Sequence, residues 1–514
     1  MNSTSYTIEG GDYDRGGTAS RSLKQQLKQI GADPDAIRRA MIAAYEAEMN
    51  VVIHAYRGRM TVSIAQGRMD VEVVDEGPGI ADIPLAMQEG YSTAPPRARE
   101  LGFGAGLGLP NIRKNSDFFA IESTVGKGTR VAFGILLRPH APKASTPNSL
   151  HIEPGKCTEC FRCLRACPAR ALRLRGGRPE VLEHLCLDCA TCISSCPTGA
   201  MTMTGTVSSL ETLKGAALVV PPPVLVQMGS NVTPRQVMSI LTDQLGFGEV
   251  CVTEPWENAL RQAVLDFAGH EARVNPVISP VCPAVVNIIE MRFPSLLPHL
   301  APFAPPMVAA HNLFAGRRAA FVALCPCQRT ALEAVRSPTT EIIVPAALRS
   351  AAMARRHEYA APSFKVPADY HLHGLLQVTG IVHVMKILEL TENGMMDDVA
   401  VLEPYLCEKG CFGSPLLWES PFVASHRWME AAGKCDRHAQ ALRRRKPFQA
   451  RRSMQLDQDM GKAIEKLSAI EELTRSLPGK DCSLCGCPTC GAYAEDVVLG
   501  RAKAGGCKYG KTHK

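Results

Sequence analysis

Apolar positions change their period several times along this chain. Around Glu46 and Asn50 the spacing is helical, and residues four apart share one helix face. Val71-Glu72-Val73-Val74 reads as an extended run. From about residue 210 to 440, short continuous apolar runs such as Ala216–Val220 alternate with helical stretches such as Pro234–Leu245, a pattern that predicts α/β structure. Met460, Ile464, Leu467, Ile470, Leu473 and Leu477 fall on one stripe of an amphipathic helix. A second helical pattern runs from Ala492 to Ala504. Pro139 to Ser149 is rich in Pro, Ser and Lys and reads as a linker. These breaks predict four segments at 1–138, 150–205, 210–440 and 453–514. No apolar run reaches the roughly 18 residues of a membrane span, so none is expected.

Composition narrows the class. The 514 residues suit about three or four domains. An apolar content of 46% suits packed globular domains. Met1 to Gly10 is polar and lacks the apolar core of a secretory leader, which predicts a cytoplasmic protein. In that compartment the 20 cysteines argue for metal ligation over disulfides. The formal charge of +7 is misleading. A cubane with four thiolates carries roughly −2, so four of them would bring the loaded chain to about −1. No nucleic-acid partner is expected. The basic run Arg443-Arg444-Arg445-Lys446, with Arg451-Arg452, reads as a solvated linker or a docking strip for an acidic partner.

The cysteine spacings carry the chemistry. Cys157, Cys160, Cys163, Cys167-Pro168 and then Cys186, Cys189, Cys192, Cys196-Pro197 write C-x2-C-x2-C-x3-C-P twice. In such a pair the first three cysteines of each run hold one cubane and the fourth crosses to the other. One 4Fe-4S cluster is therefore expected on Cys157, Cys160, Cys163 and Cys196. The other is expected on Cys186, Cys189, Cys192 and Cys167. Zinc sites rarely need the trailing Cys-Pro pairs.

The N-terminal segment has the parts of a nucleotide pocket. Glu46 and Asn50 share a helix face. Asp75-Glu76-Gly77-Pro78-Gly79 follows the extended run, and Gly102-Phe103-Gly104-Ala105-Gly106-Leu107-Gly108-Leu109 opens a helix. Glycines before a helix admit phosphates to backbone N–H groups. An Asn50 oxygen can ligate Mg²⁺, and Glu46 can orient or deprotonate an attacking hydroxyl. In this order the motifs resemble the GHKL ATPase superfamily, and within it the serine kinases of bacterial anti-sigma partner switches. The resemblance implies an α/β sandwich that binds ATP and Mg²⁺, with Asp75 reading adenine and the 102–108 loop lidding the phosphates. Ala94-Pro95-Pro96-Arg97-Ala98-Arg99-Glu100 reads as an insertion in that lid. His54 falls on the Glu46 face, where a structural histidine is the commoner case.

Three cysteine patches mark the central segment: Cys282-Pro283, Cys325-Pro326-Cys327 and Cys407-x3-Cys411. With Phe293-Pro294-Ser295-Leu296-Leu297-Pro298 they resemble the catalytic domain of iron-only hydrogenases over about 210–420. The resemblance implies a cubane on Cys282, Cys327, Cys407 and Cys411. Cys325 is then a spare or alternative ligand. In active members a cysteine precedes the first ligand and passes protons, and a lysine three residues after the second holds a cyanide. Here those positions are Val281 and Thr330. These departures predict a cubane-only or otherwise altered site rather than a working hydrogenase. Cys251 and Cys435 read as ordinary thiols.

Near the end, Cys482-x2-Cys485-Gly486-Cys487-Pro488-Thr489-Cys490, with Cys507 beyond, resembles the small four-iron domain of corrinoid iron–sulfur proteins. The resemblance implies a cluster on Cys482, Cys485, Cys490 and Cys507, with zinc as the competing reading. The expected fold is a multidomain α/β and α+β chain, combining a GHKL sandwich, a bacterial ferredoxin-like module, a hydrogenase-like α/β domain and a small helical Fe–S domain. Three functions follow in order of fit. The first is a redox-responsive regulator that couples clusters to ATP binding and acts on a partner-switch protein. The second is an electron-transfer subunit of a larger oxidoreductase complex with its own redox partner protein. The third is a catalytic hydrogenase.

Overall fold

The computed structural model describes residues 2–65, 67–100, 103–138, 149–203, 210–228, 232–353, 375–431, 439–451 and 455–509. They form two compact units. The first takes Met1–Pro142, Met454–Asp481 and Thr489–Lys514, and the second takes Lys143–Ser453 and Cys482–Pro488. Most of the expected linker Pro139–Ser149, together with Gly102, Cys435 and Arg452, lies outside the described residues. Among the described residues no helix is long and apolar enough to cross a membrane.

In the first unit, β1 (Asn2–Glu9), β2 (Arg57–Ala65), β3 (Arg68–Glu76), β4 (Phe118–Thr124) and β5 (Gly128–Leu136) form an antiparallel sheet in the order β1-β2-β3-β5-β4. Met60, Val62 and Ile64 alternate with polar positions on β2, as do Met69, Val71 and Val73 on β3, so one face of each strand is buried. That face packs in one core with α1 (Thr18–Gln29) and α2 (Pro34–His54). Asp33 caps α2 by accepting a hydrogen bond from the Ala36 amide at 3.0 Å, and Pro34 occupies the first turn, where its missing N–H costs nothing. A run of small buried residues on α2, including Ala36, Ala40, Ala43, Ala44 and Ala47, leaves room for neighbours at close range.

The amphipathic stripe near the C-terminus forms the helix Met460–Ser476, capped by Asp459, which accepts from the Lys462 amide at 2.9 Å. This helix is part of the first unit's core. Met460, Ala463, Ile464, Leu467 and Ile470 are buried with Leu23 and Leu27 of α1, and Gln26 Nε2 donates to Glu471 Oε1 at 2.9 Å. Truncating Leu467 to Ala should therefore cost about 2–5 kcal/mol of this unit's stability. Hydrogen exchange of α1 and β2 amides should report the loss, while exchange of the second unit stays unchanged.

The second unit opens with a small module of two antiparallel pairs, β6 (Leu150–Ile152) with β9 (Met201–Met203) and β7 (Leu172–Arg175) with β8 (Arg178–Val181). Next comes a parallel sheet, β11 (Glu249–Val252), β10 (Ala217–Val220), β13 (Ala319–Val322) and β14 (Thr340–Ile343), in that order. Every residue of β10 and β13 is buried, as expected of parallel strands covered on both faces. A second parallel set joins β12 (Val277–Ile278), β16 (Val401–Tyr405) and β15 (Leu375–Thr379). Cys251 is buried on β11.

Three expectations differ in detail. Pro234–Leu245 begins as the α-helix Pro234–Ser239 and continues as a π-helical turn, Ile240–Gln244. The helix expected over 492–504 is Cys490–Val498; a left-handed Gly500 (φ +71°) stands just beyond its end, which is common past helix termini. The basic run is not a free solvated linker. Arg443 pairs bidentately with Glu271, and Arg451 reaches the buried Glu290. The guanidinium of Arg444 stacks 4.1 Å from the Phe448 ring centre. Flanking apolar residues explain the difference: Ala441, Leu442 and Phe448 pack on the second unit's cores and carry the arginines down with them.

Candidate nucleotide pocket and cysteine-lined cavities

The residues expected to form a nucleotide site lie on α2, at the end of β3 and in the loops leading to helix Gly108–Lys114. Glu46 and Asn50 lie one turn apart on α2. The Glu46 carboxylate accepts a hydrogen bond from Asn111 Nδ2 at 2.8 Å. Burial pushes the Glu46 carboxyl up from its ordinary value, and the bond from Asn111 opposes that. Asn50 Nδ2 is buried with no hydrogen-bond partner. A Cβ on Gly108 would stand 2.8 Å from Asn50 Oδ1, so any side chain there would make the Asn50 amide shift.

Asp75 lies near the end of β3. Its Oδ1 accepts from the Thr129 amide at 3.1 Å. Burial raises its pKa, against the Thr129 and Gly77 amides that lower it. Gly77 and Gly79 form the turn after β3, and Gly104 and Gly106 are both left-handed (φ +86° and +74°). The Gly90 amide donates to Gly106 O at 3.0 Å, which pins the lid to the preceding loop. His54 ends α2, and burial lowers its pKa.

The inserted lid residues are folded rather than slack. Pro96–Glu100 is helical, Ala98 is fully buried, and the Phe103 amide donates to Ala98 O at 2.9 Å. Phe103 stacks on Tyr13 with ring centres 6.0 Å apart, and Arg97 lies 5.9 Å from the Tyr13 ring centre. Sequence reasoning missed Asn111 as the holder of Glu46. Its position one turn beyond Gly108 is the signal that points to it.

In the second unit the two cysteine runs share a backbone device. Glu159 and Phe161 between the first cysteines are left-handed (φ 52° and 57°), and Asp188 and Ala190 repeat this at the equivalent positions (φ 55° and 61°). Four non-glycine residues in that region, at matched places in two loops, show that both runs curl their cysteines by the same backbone turns. Cys157, Cys160, Cys163 and Cys196 line one cavity with Leu164, Leu174 and Met201. Burial pushes the Cys163 thiol up to about 11. Cys196 lies below its usual value despite burial, because the Thr198 hydroxyl and the amides of Met201, Thr198 and Ala200 bond its sulfur.

Cys167, Cys186, Cys189 and Cys192 form the other group. Cys189 and Cys192 each feel Cys167, and Cys186 feels Cys189 and Cys192. The Ala171 amide donates to Cys167 Sγ at 3.3 Å. Arg292 also serves this group. It donates to Pro168 O at 2.9 Å. Burial lowers its pKa, while Cys167 and Cys189 raise it. A guanidinium beside two thiolates favours the reduced, more negative state of whatever they hold. At about 6 Å and an effective dielectric of about 20, a unit charge is worth about 3 kcal/mol, or about 100 mV for one electron. Arg292→Gln should therefore shift the second cluster's midpoint potential negative by about that amount in a redox titration, leaving the first cluster unmoved.

A third cavity lies between this module and the α/β sheets. Cys282, Cys327, Cys407 and Cys411 line it, and so do Cys325, Cys189, Gln328 and Ser414. Cys325 Sγ is 2.9 Å from Cys327 Sγ, and Gln328 Nε2 donates to Cys411 Sγ at 3.5 Å. Helix Pro283–Arg292 starts from Cys282, and helix Pro326–Glu333 carries Cys327, each with proline in its first turn. Thr330 does not line the cavity. Its hydroxyl pairs with Ser149 Oγ at 2.8 Å and bonds Asp188. Val281 is buried beside Cys282. Near Cys411, Glu257 is buried, which pushes its carboxyl up to about 7, and it accepts from Thr253 Oγ1 at 3.0 Å.

The last motif is described in two parts. In the second unit, Cys487 is buried and its sulfur accepts from Arg175 Nη2 at 3.4 Å. The Cys485 thiol is lowered to about 6, first by its bond from Cys487. In the first unit, Cys490 begins helix Cys490–Val498, and its amide donates to Asp481 Oδ1 at 2.6 Å. The Gly506 amide, next to Cys507, donates to Tyr493 Oη at 2.8 Å. All these cavities and loops present the soft thiolates that iron–sulfur clusters require, on spacings that suit cubanes.

Known families match these parts separately. Residues 12–135 match the histidine kinase-like ATPase domain, and 156–201 match the 4Fe-4S dicluster domain. Residues 214–348 match the C-terminal domain of the iron-only hydrogenase large subunit, and 477–509 match an Fe–S cluster family. The serine/threonine-protein kinase RsbT of Bacillus subtilis is 29% identical over 118 residues, which is 22% of this chain and 83% of that protein. The anti-sigma F factor of Clostridium botulinum (strain Eklund 17B) is 32% identical over 111 residues, 20% of this chain and 74% of that protein. A solved FeFe-hydrogenase structure, HydA(deltaEFG), is 14% identical with a TM-score of 0.34, covering 44% of this chain and 86% of that one.

Proposed function

Because the chain belongs through its N-terminal domain to the histidine kinase-like ATPase family, we propose that it is a redox-responsive regulator: its clusters take up or release electrons, and that state sets ATP-dependent binding or phosphorylation of a partner-switch protein. The reading rests on one contrast. The nucleotide pocket keeps a positioned carboxylate, Glu46 on Asn111, and a buried unpartnered amide, Asn50. The hydrogenase-like cavity keeps its cysteines, but the sequence positions that would supply a proton carrier and a charge for turnover hold Val281 and Thr330, and neither lines the cavity.

In this scheme Asn50 supplies an oxygen to Mg²⁺, the loop of Gly102, Gly104, Gly106 and Gly108 approaches the phosphates, and Asp75 with the Thr129 amide meets the adenine. Glu46 takes the proton from the attacking serine hydroxyl of the partner. When bound, the clusters supply one-electron storage. The protein residues fix their thiolate ligands on Cys157, Cys160, Cys163 and Cys196, on Cys167, Cys186, Cys189 and Cys192, and on Cys282, Cys327, Cys407 and Cys411. A fourth site uses Cys482, Cys485, Cys490 and Cys507. Cysteine thiols must lose their protons to bind, so cluster assembly is itself proton-coupled.

The test is ATP turnover and phosphate transfer to an anti-sigma-antagonist type substrate, measured on anaerobically purified protein poised oxidised and then reduced. A change of several-fold between the two poises supports the reading. Identical rates in both poises, with clusters intact, would remove it.

A further inference from the structure

Five thiols of the cysteine patches, not four, meet in the third cavity. Cys282, Cys325, Cys327, Cys407 and Cys411 all line it. Cys325 is as buried as two of the expected ligands, at 4% exposed against 7% for Cys282 and 5% for Cys327. A four-iron cubane offers four corners to cysteine. One sulfur is therefore in excess, and its place in the cavity identifies the corner it crowds. Cys325 Sγ stands 2.9 Å from Cys327 Sγ. Thiolates on different irons of a cubane diverge, each along its own corner. Two sulfurs this close do not suit two corners, but either can serve the same one. The backbone holds the pair together. Cys325 is extended (φ −154°, ψ 162°) at the start of helix Pro326–Glu333, and Pro326 between the two cysteines has its φ fixed by its ring. Burial raises the Cys407 and Cys411 thiols above their ordinary values, and the charge of Cys325 adds to the rise in both. Its sulfur thus belongs electrostatically to the same group.

We propose that Cys325 and Cys327 are interchangeable ligands of one iron corner, with Cys282, Cys407 and Cys411 fixed on the other three. The inference rests on the reading that this cavity holds a cubane, and it replaces a fixed ligand set with a shared corner. In the exchange one iron–sulfur bond breaks as the other forms. The proton of the incoming thiol passes to the departing sulfur, 2.9 Å away. No oxidant or reductant is consumed. The corner keeps a thiolate whichever sulfur of the pair carries the proton.

Iron and sulfide analysis, with paramagnetic resonance on anaerobically purified, dithionite-reduced full-length protein, tests this. Cys327→Ala should keep the native iron content, because Cys325 takes the corner. Cys325→Ala should keep it too. The double variant should lose about four irons per chain, while the ferredoxin-like signals remain and report an intact second unit. In native protein the resonance of this site should contain two overlapping species. Each single variant should show one of them, a different one in each. Loss of about four irons in either single variant, with the ferredoxin-like signals intact, would overturn the shared corner. So would a native resonance of one species that Cys325→Ala leaves unchanged. Cys407→Ala combined with Cys411→Ala controls the reading beneath, because it leaves too few thiols for a cubane. Native iron content in that variant would remove the cluster from this cavity, and the shared corner with it.

Discussion

Replacing Glu46 with Gln should lower phosphate transfer by about 10²–10⁴-fold while nucleotide binding stays within a few-fold of native. The carboxylate lies on α2 and accepts a hydrogen bond from Asn111 Nδ2. Glutamine keeps the shape and can still pair with Asn111 through its own oxygen, so the pocket should hold. What it loses is the ability to take a proton. A rate deficit with native ATP affinity therefore separates the base from a binding role, and fluorescence-detected nucleotide titration beside a transfer assay reads both. The pH dependence supplies a second check. Burial raises the Glu46 pKa, and only the ionised form can act as a base. The native rate should climb with pH through an inflection above the ordinary glutamate value of about 4.3 and then level off. In Glu46→Gln that inflection should vanish. Asn111→Ala should move it further upward, because the bond that favours the charged form is gone. A Glu46→Gln protein that transfers phosphate at the native rate would place the base elsewhere.

The folded lid bears on the same experiment. The segment Ala94–Glu100 reads in sequence as an insertion in the lid. In the structure Ala98 is buried, Phe103 N–H bonds back to it, and Phe103 stacks on Tyr13, so the insertion is an ordered part of the lid.

Much of this is legible in the sequence because the chemistry is written in short spacings. C-x2-C-x2-C is local: the loop that curls three thiols to one point is set by its own few residues, and the left-handed turns at Glu159, Phe161, Asp188 and Ala190 follow from that. The pairing of Glu46 with Asn50 is equally local, since a helix fixes it. What is not legible depends on distant packing. The stripe from Met460 to Leu477 announces a helix but not its partner, and nothing in it says that Leu467 is buried with α1 some 440 residues away. The charge pattern of 443–452 reads as solvated because sequence does not show Glu271 and Glu290 facing it. A lone Asn after a glycine loop, such as Asn111, is unremarkable until α2 passes beside it. Thr330 stands in sequence as a lost charge, yet its bonds to Ser149 and Asp188 give it a different task, joining the ferredoxin-like module to the α/β region.

Cys196→Ser should empty the cluster site of the other run, and Cys167→Ser should do the reverse. Cys196 stands in the cavity lined by Cys157, Cys160 and Cys163, although it is the last cysteine of the second run. Cys167 acts on Cys189 and Cys192 although it ends the first. If each run held its own cluster, these substitutions would have the opposite assignments. Each variant should lose about four irons per chain or convert that site to a labile three-iron form. Which site is lost can be read without a structure. Arg292 lies by Cys167 and Cys189 and should tune only the second group, so Arg292→Gln marks that cluster by its negative shift. Added to Cys196→Ser, Arg292→Gln should still move the potential of the cluster that remains. Added to Cys167→Ser, it should move none of the ferredoxin potentials, because the cluster it acts on is gone. Iron analysis and redox titration of the two double variants therefore decide between crossed and local ligation. A shift that survives in the Cys167→Ser background would show that the fourth cysteines do not cross.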